Sequence, residues 1–579
     1  MRISKIKNQR SKVQIKIQKC HRRRRFRTFD FCILIFALAS SAGASDHAQW
    51  GQAFTRNMAS GETGLVDSFD PATGKNVKWV ASLGSESWAT PVVAQGRVFL
   101  GTNNDPPRDP RHKGDRGVLL CLREKDGSLL WQLVVPKLGA DPYLDWPRSG
   151  ICSPATVEGN RVYIVTNRGE AVCLDIEGQA NGNDGPYKDE GRHMTANGRS
   201  SLVARGSTLV PQDANDDRGG TLDVTPMDAD IIWLFDIPSQ AGTWPHDGAH
   251  GSILIDGDFL YVSTSNGLDS AHKRIRCPDG PSLICLDKKT GRLLARDYEG
   301  IGPRIFHSTW SPPAMGVVNG RKLIFFCGGD GVVYAFEPLG TENEEGIRGQ
   351  GSGVSHPLPD SRPPTPDPRP LRCVWRFDCD PTGPKENVRP YFGNRQQSPS
   401  NIKSTPVFDN NRLYVTVAGD IWWGKNQAWL QCIDATEEGI RGQGSGIGPP
   451  TPDSRPPTPD PRLLWSCDLK EHCCSTPAVR DGLVYVADCG RQISCIDAET
   501  GKVCWTQEAK GDIWASTLVA DGKVYVGTNR RDFWILAAGR EKKVLCTLDL
   551  DSPIAGTPVA ANGVLYVNTM RKLYALQKP

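Results

Sequence analysis

Four short stretches of this 579-residue chain concentrate side chains suited to binding or catalysis. They are Asp145-Trp-Pro-Arg148, Trp244-Pro-His-Asp247 with His250 close behind, Arg304-Ile-Phe-His307 with Trp310, and the pair Trp422-Trp423. Tryptophan offers a broad aromatic face with one N–H donor, arginine a forked cation, and histidine a nitrogen base that titrates near neutrality. Such a mixture suits recognition more than bond-breaking. Arg148, His250, Arg304, His307, Trp310, Trp422 and Trp423 are therefore the candidate ligand-contacting residues. No catalytic set is legible among them. His250 and His307 precede strands and are read as hydrogen-bonded structure, so no metal site is expected. Asn181-Gly-Asn-Asp-Gly185 has the flavour of a calcium loop but lacks its spaced carboxylates and closing glutamate. There is no Cys-x-x-Cys-His for haem and no paired Cys-x-x-Cys for zinc.

The elements that must position these residues come from a repeat. Ser475-Thr-Pro-Ala-Val-Arg-Asp-Gly-Leu-Val-Tyr-Val486 is followed by Cys495-Ile-Asp-Ala-Glu-Thr-Gly-Lys-Val-Cys-Trp505, and the same order occurs at 89–100 and 121–131. Eight copies run along the chain, with first strands near Thr90, Ser153, Ser252, Ser311, Thr405, Thr476, Ser516 and Thr557. Asp-Gly and Asn-Gly dipeptides such as Asp521-Gly522 and Asn562-Gly563 break alternating strands, which is the signal of a tight hairpin. Four short antiparallel strands per copy, in tandem, predict propeller blades and an all-β fold. The last copy stops after three strands at Leu573-Tyr-Ala-Leu576, and its fourth exists at the other end, running through Trp79 to Leu83. The expectation is one eight-bladed β-propeller over residues 45–579, closed by an N-terminal strand that leaves no free sheet edge. The loops between strands two and three share a face with those between blades, and this face carries the candidate residues.

Residues 1–44 read as a signal peptide. Arg22-Arg-Arg-Arg25 precedes the apolar Phe31–Leu38, and Ala42-Gly-Ala44 resembles a cleavage site. Export to the periplasm or beyond is expected, with Arg23-Arg24-x-Phe26 similar to a twin-arginine signal and a membrane anchor at residues 31–44 as the alternative. The leader holds 12 of the 69 Lys+Arg and one of the 65 acidic residues, so the remainder is net acidic and has no basic stripe. Nucleic acid is excluded as a partner. Any membrane contact runs through an uncleaved leader, and a monomer is expected. Cys121, Cys173, Cys285, Cys432 and Cys495 recur at one third-strand site where Ala335 and Ala575 stand in other copies, so they are read as packing. Insertions interrupt the third-to-fourth-strand turn in blades 2, 4 and 5. Glu344–Gly353 recurs almost word for word at Glu437–Gly446, and this Gly/Pro-rich element predicts disordered loops near 341–371 and 436–462.

The pattern Asp-x-x-Thr-Gly-x-x-x-Trp, complete at 497–505 and weaker at 287–295 where Ala295 replaces tryptophan, resembles the docking motif of PQQ-like repeat propellers. That superfamily includes quinoprotein alcohol dehydrogenases and the propeller lipoprotein of the outer-membrane β-barrel assembly machinery. The resemblance covers residues 50–579 and implies a fold; family name and cofactor are separate matters. Three readings follow. The first is an exported envelope protein that binds a partner protein or small molecule on its loop-rich face, without enzymatic activity. The second is a dehydrogenase using PQQ and calcium on an alcohol or sugar. The third is an outer-membrane assembly factor. For the second, no Glu/Asn/Asp set here matches the family's calcium ligands, and Cys473-Cys474, a vicinal pair like the family's, falls much later in the chain. For the third, no lipobox cysteine follows the leader. The first reading is preferred.

Overall fold

A computed structural model describes residues 45–138, 143–195, 220–247, 251–340, 367–436 and 460–579. Eight sheets stand in sequence, each with four antiparallel strands. In seven of them these four follow one another along the chain, apart from the two-residue strand Arg369–Pro370, which joins the third sheet. Blade 6 is typical: Ala478–Arg480, Leu483–Ala487, Gln492–Asp497 and Val503–Glu508 pair in order. The eighth combines Val559–Ala561, Val564–Asn568 and Lys572–Leu576 with Val77–Ser82 from the other end of the chain. In that closing pair Trp79 lies opposite Ala575 and Ser82 opposite Lys572. The expected eight-bladed propeller and its closure are present.

The repeat's residue types have a shared cause. Across blade 6, Tyr485, Cys495 and Trp505 stand side by side on three neighbouring strands, and Tyr163, Cys173 and Trp233 do the same in blade 2. A large ring on either side leaves room only for a small group between them, and Cys121, Cys173, Cys285, Cys432 and Cys495 are all buried free thiols. The tryptophans of blades 1, 2, 5, 6 and 8 then dock on the next blade's turn. Trp465 Nε1 donates to Ala498 O at 3.0 Å, Trp505 Nε1 to Gly539 O at 2.9 Å, and Trp79 Nε1 to Glu124 O at 2.9 Å. The turn itself is held by Asp497, whose Oδ1 accepts from Thr500 N and Thr500 Oγ1, both at 2.8 Å. Gly501 closes it at φ +70°, and a Cβ there would lie 2.7 Å from the Trp465 ring. Glycine is required by backbone and neighbour alike.

Apolar residues from each adjacent pair of blades form one cluster, so the core is a closed ring of eight seams. Blade 8 meets blade 1 through Tyr566, Val559, Val93 and Val98, which makes the closure hydrophobic as well as hydrogen-bonded. Among the described residues no helix is long and apolar enough to cross a membrane. The expected leader lies outside the described residues, as do positions 341–366 and 437–459 of the two Gly/Pro-rich insertions. Arg369–Pro370, at the end of the first, pairs in parallel with Leu293–Arg296 of blade 3.

One element has no counterpart in the repeat. Residues 45–62 hydrogen-bond to the innermost strand or its hairpin in every blade. His47 pairs with Val93 in blade 1, Ala48 O accepts from Val157 in blade 2, and Arg56 Nη2 donates to Ile253 O in blade 3. Phe54 O and Thr55 O accept from Met315 and Phe408, Asn57 brackets Val479, and Met58 O accepts from Val519. Asn562 N reaches Ser45 O in blade 8. A single segment can touch eight innermost strands only by running through the centre, so it plugs the channel. Fully buried Arg56 fastens it, donating also to Pro313 O at 3.1 Å and Trp50 O at 3.0 Å.

Candidate functional site

Above the plug, on the loop-rich face, the channel opens into a cup of about 680 Å³. Its lower wall follows the repeat. The residue two places before each innermost strand lines it: Thr90, Pro154, Ser252, Pro312, Thr405, Thr476, Ser516 and Thr557. Two places earlier stand Trp88, Cys152, Trp310, Lys403, Cys474, Trp514 and Ala555, which alternation directs to the same side. The eighth member of that second series in the sequence is His250, which lies outside the described residues. Trp50 of the plug forms the floor, its Nε1 donating to Thr405 Oγ1 at 3.2 Å. Seven of the chain's 16 tryptophans line the cup.

The rings contact one another at steep angles, one pair tilted and two edge-on. Trp88 and Trp514 have centroids 6.0 Å apart, Trp514 and Trp422 5.9 Å, and Trp422 and Trp310 5.8 Å. Opposite charges are woven into this wall. Asp420 is fully buried on the loop between strands two and three of blade 5. Its Oδ1 accepts from the backbone N–H of Trp422 and Trp423 at 3.0 and 3.1 Å, which places both indoles. Its Oδ2 takes His307 Nδ1 at 3.0 Å and Asn401 Nδ2 at 3.0 Å, and Lys403 Nζ lies 3.2 Å away. Burial alone would raise this carboxyl, but Lys403 and His307 hold it well below the usual carboxylate range. The Lys403 ammonium also lies over the Trp310 ring, 4.1 Å from its centroid.

Beside Lys403, on the other side of the shared Asp420 carboxylate, three imidazoles converge. His246 and His307 are buried and His272 is half-buried, on a left-handed backbone at φ +55°. The donor nitrogens of the three lie within 4.8 Å of one another. Desolvation lowers the His246 pKa to about 4, keeping its ring neutral, and lowers that of His272. The Asp247 carboxylate sits beside them, and its Oδ1 accepts from Trp146 Nε1 at 3.0 Å. Burial raises Asp247, yet His246 and His307 outweigh this and leave it below the ordinary value.

Of the residues picked from the sequence, His307, Trp310, Trp422 and Trp423 line this cup. Arg148 lies between two lining residues, Pro147 and Ser149, with its own side chain exposed. Arg304 is elsewhere: its Nε donates to buried Asp330 at 3.0 Å and its Nη2 to the Tyr334 hydroxyl at 2.7 Å, an ion pair that ties a loop to blade 4. His246, Asp247 and Trp146 sit within stretches singled out by composition. Trp50, Trp88, Trp514, Lys403, Asp420 and His272 were not singled out, although Trp88, Lys403 and Trp514 share one repeat position that alignment of the copies exposes.

Calcium-held quinone chemistry does not suit these donors. Calcium takes six to eight oxygen ligands, whereas the cup gathers imidazole nitrogens and an ammonium around Asp247 and Asp420. Glu86, its remaining carboxylate, is bonded to Trp88 Nε1 at 3.0 Å. The vicinal cysteines face different surroundings. Cys473 is buried with its thiol 3.1 Å from Ala487 O, while Cys474 lines the cup and hydrogen-bonds the Cys489 thiol.

Known proteins resemble the chain at the level of sequence family and fold. A family model described as outer membrane protein assembly factor BamB matches residues 51–296 and 458–551. No curated protein matches in sequence. Among solved structures, BamB from Moraxella catarrhalis is 11% identical over 86% of this chain and 96% of its own, with a TM-score of 0.44. The computationally designed Ika8 protein is 11% identical over 86% of this chain and 99% of its own, at 0.43. The quinohemoprotein alcohol dehydrogenase from Comamonas testosteroni is 14% identical over 92% of this chain and 82% of its own, at 0.38.

Proposed function

The chain belongs to the PQQ-like propeller family whose sequence description is outer membrane protein assembly factor BamB, and from that premise we propose that it is an exported envelope protein binding a compact, ring-shaped small molecule in its axial cup. The observation that carries this reading is the floored, tryptophan-walled cavity. An aromatic enclosure of about 680 Å³ with a few fixed polar groups has the size and character of a small-molecule site. Indole faces stack on flat or saccharide rings, while the hydroxyls of Thr90, Thr405, Thr476 and Thr557 offer polar contacts around the lower wall. The plug supports the same reading, because a channel closed at one end holds a ligand where an open one would pass it.

The test is a tryptophan-fluorescence titration of the purified protein with aromatic carboxylates, quinones, and mono- and disaccharides. At least one class should give saturable quenching that weakens at least about tenfold in Trp422→Ala, as expected for loss of an aromatic anchor. A folded protein that shows no saturable response to any class contradicts the proposal. The second reading is a protein partner docked on the same rim, favoured by the exposure of Trp146 and Trp422, at 42% and 38%. An envelope protein captured by the wild type, lost on Trp146→Ala and unaffected by small ligands would establish that reading instead.

A further inference from the structure

His246 and His307 face each other with Nε2 atoms 3.0 Å apart. The other nitrogen of each ring is committed. His246 Nδ1 lies 3.0 Å from Leu268 O, a group that only accepts, so Nδ1 carries the proton. His307 Nδ1 lies 3.0 Å from the ionised Asp420 carboxylate, which fixes the same tautomer. With each Nδ1 so engaged, the two Nε2 atoms are turned toward one another across 3.0 Å, close enough to share one cation.

Further donors point to the same place. Asp247 Oδ1 is 3.8 Å from His246 Nε2, and Asp247 Oδ2, buried and without a hydrogen-bond partner, is 3.9 Å from His307 Nε2. Ligands bound at about 2.1 Å lie about 3.0 Å apart at right angles and about 4.2 Å apart when opposite. All three spacings fall within that range. His272 completes the group once its nitrogen moves in by roughly an ångström from the outer limit of the cluster. Ring N–H groups held by a backbone carbonyl and a carboxylate are the usual outer support of metal-bound imidazoles.

We propose that His246, His272, His307 and Asp247 bind one divalent first-row transition-metal ion in the wall of the cup. Three imidazoles and one carboxylate suit zinc, iron, nickel or copper and not calcium or magnesium. Asp247, His272 and His307 line the cup, so the proposed site borders the cavity. The site goes beyond the ligand reading and stands without it, since the ion needs no cup ligand to bind. The second cluster of ligand-type residues, Asp109, His112 and Asp228, differs: the Arg111 guanidinium already bridges both carboxylates there.

The experiment strips the purified protein with a chelator and titrates it with Zn2+ by calorimetry and with Co2+ by visible absorption, no organic ligand being present. One equivalent should bind, with the d–d bands of a nitrogen- and oxygen-ligated cobalt ion. His246→Gln and His307→Gln should each weaken binding at least about a hundredfold, and Asp420→Asn, acting through His307, about ten- to a hundredfold. His112→Gln should leave it unchanged. His272→Ala, on a half-exposed loop position, keeps the test valid should the buried variants fail to fold, and it should weaken binding at least about tenfold. Absence of one-equivalent binding by the folded wild type, or binding indifferent to His272→Ala, overturns the proposal. A proton shared between His246 and His307, seen by NMR as a low-field signal that persists in excess Zn2+, would also overturn it. Loss of fluorescence response to every small molecule, with metal binding intact, would refute the ligand reading alone.

Discussion

Replacing Gly501 by alanine tests how the ring is held together, and Gly482 in the same blade supplies the control. Both adopt left-handed backbones, at φ +70° and +72°. An alanine at either position bears the left-handed penalty of about 1–2 kcal/mol. They differ in surroundings. A Cβ on Gly482 meets nothing within 4 Å, whereas one on Gly501 lies 2.7 Å from the Trp465 indole. That indole cannot retreat without stretching its 3.0 Å bond to Ala498 O and leaving the seam between blades 5 and 6. Forcing a methyl into a packed contact costs about 1–3 kcal/mol. Gly482→Ala should therefore lose about 1–2 kcal/mol and Gly501→Ala about 2–5 kcal/mol in total. Urea unfolding followed by circular dichroism, compared at constant slope, measures the difference. Equal losses from the two variants would mean that the tryptophan is not seated on the turn, and the docking account of the repeat would fail.

Three other outcomes follow from the same geometry. Arg56→Ala leaves buried carbonyls of Trp50, Ile253 and Pro313 without their donor, so it should destabilise the protein by about 3 kcal/mol in chemical denaturation and expose the cup's floor to fluorescence quenchers. Asp497 is held at about 2 by its hydrogen bond from Arg540, then by those from Thr500. A depressed carboxyl stabilises the fold above its unfolded pKa, and that contribution is lost as pH falls from about 4 to 2. Asp497→Asn should flatten thermal stability across that window, and an unchanged slope would refute the assignment. Among the cup's cysteines, the Cys489 hydrogen bond favours the thiolate of Cys474, while burial pushes Cys152 up to about 12. Iodoacetamide with peptide mapping should find Cys474 alkylated faster than Cys152, and a cup ligand should protect it.

The fold was legible because a propeller writes its rules eight times. The Asp-x-x-Thr-Gly turn, the small residue between two rings and the docking tryptophan each answer a local constraint that recurs around the ring, so repetition exposes them. The closure was readable from the strand missing after Leu576 and present around Trp79. The plug was not legible. Residues 45–62 contact the ring largely through main-chain groups, which accept many sequences and carry no period. The cup lies between these cases. Its positions recur in every blade, but Trp88, Cys152, Trp310, Lys403, Cys474, Trp514 and Ala555 fill one position with unlike residues, so a search for similarity discards them. His272 reaches the site from a loop of blade 3 with no counterpart elsewhere. Residue type alone also misleads: Arg304 looks like a ligand anchor and instead neutralises buried Asp330.

The account rests on the axial cup as the place where this propeller meets its ligand. The most direct measurement is a crystallographic fragment screen of the purified protein with aromatic and saccharide fragments. Bound fragments should cluster between Trp310, Trp422 and Trp514, above Trp50. Fragments found only on the outer blade edges or the opposite face, with the cup holding solvent alone, would contradict it.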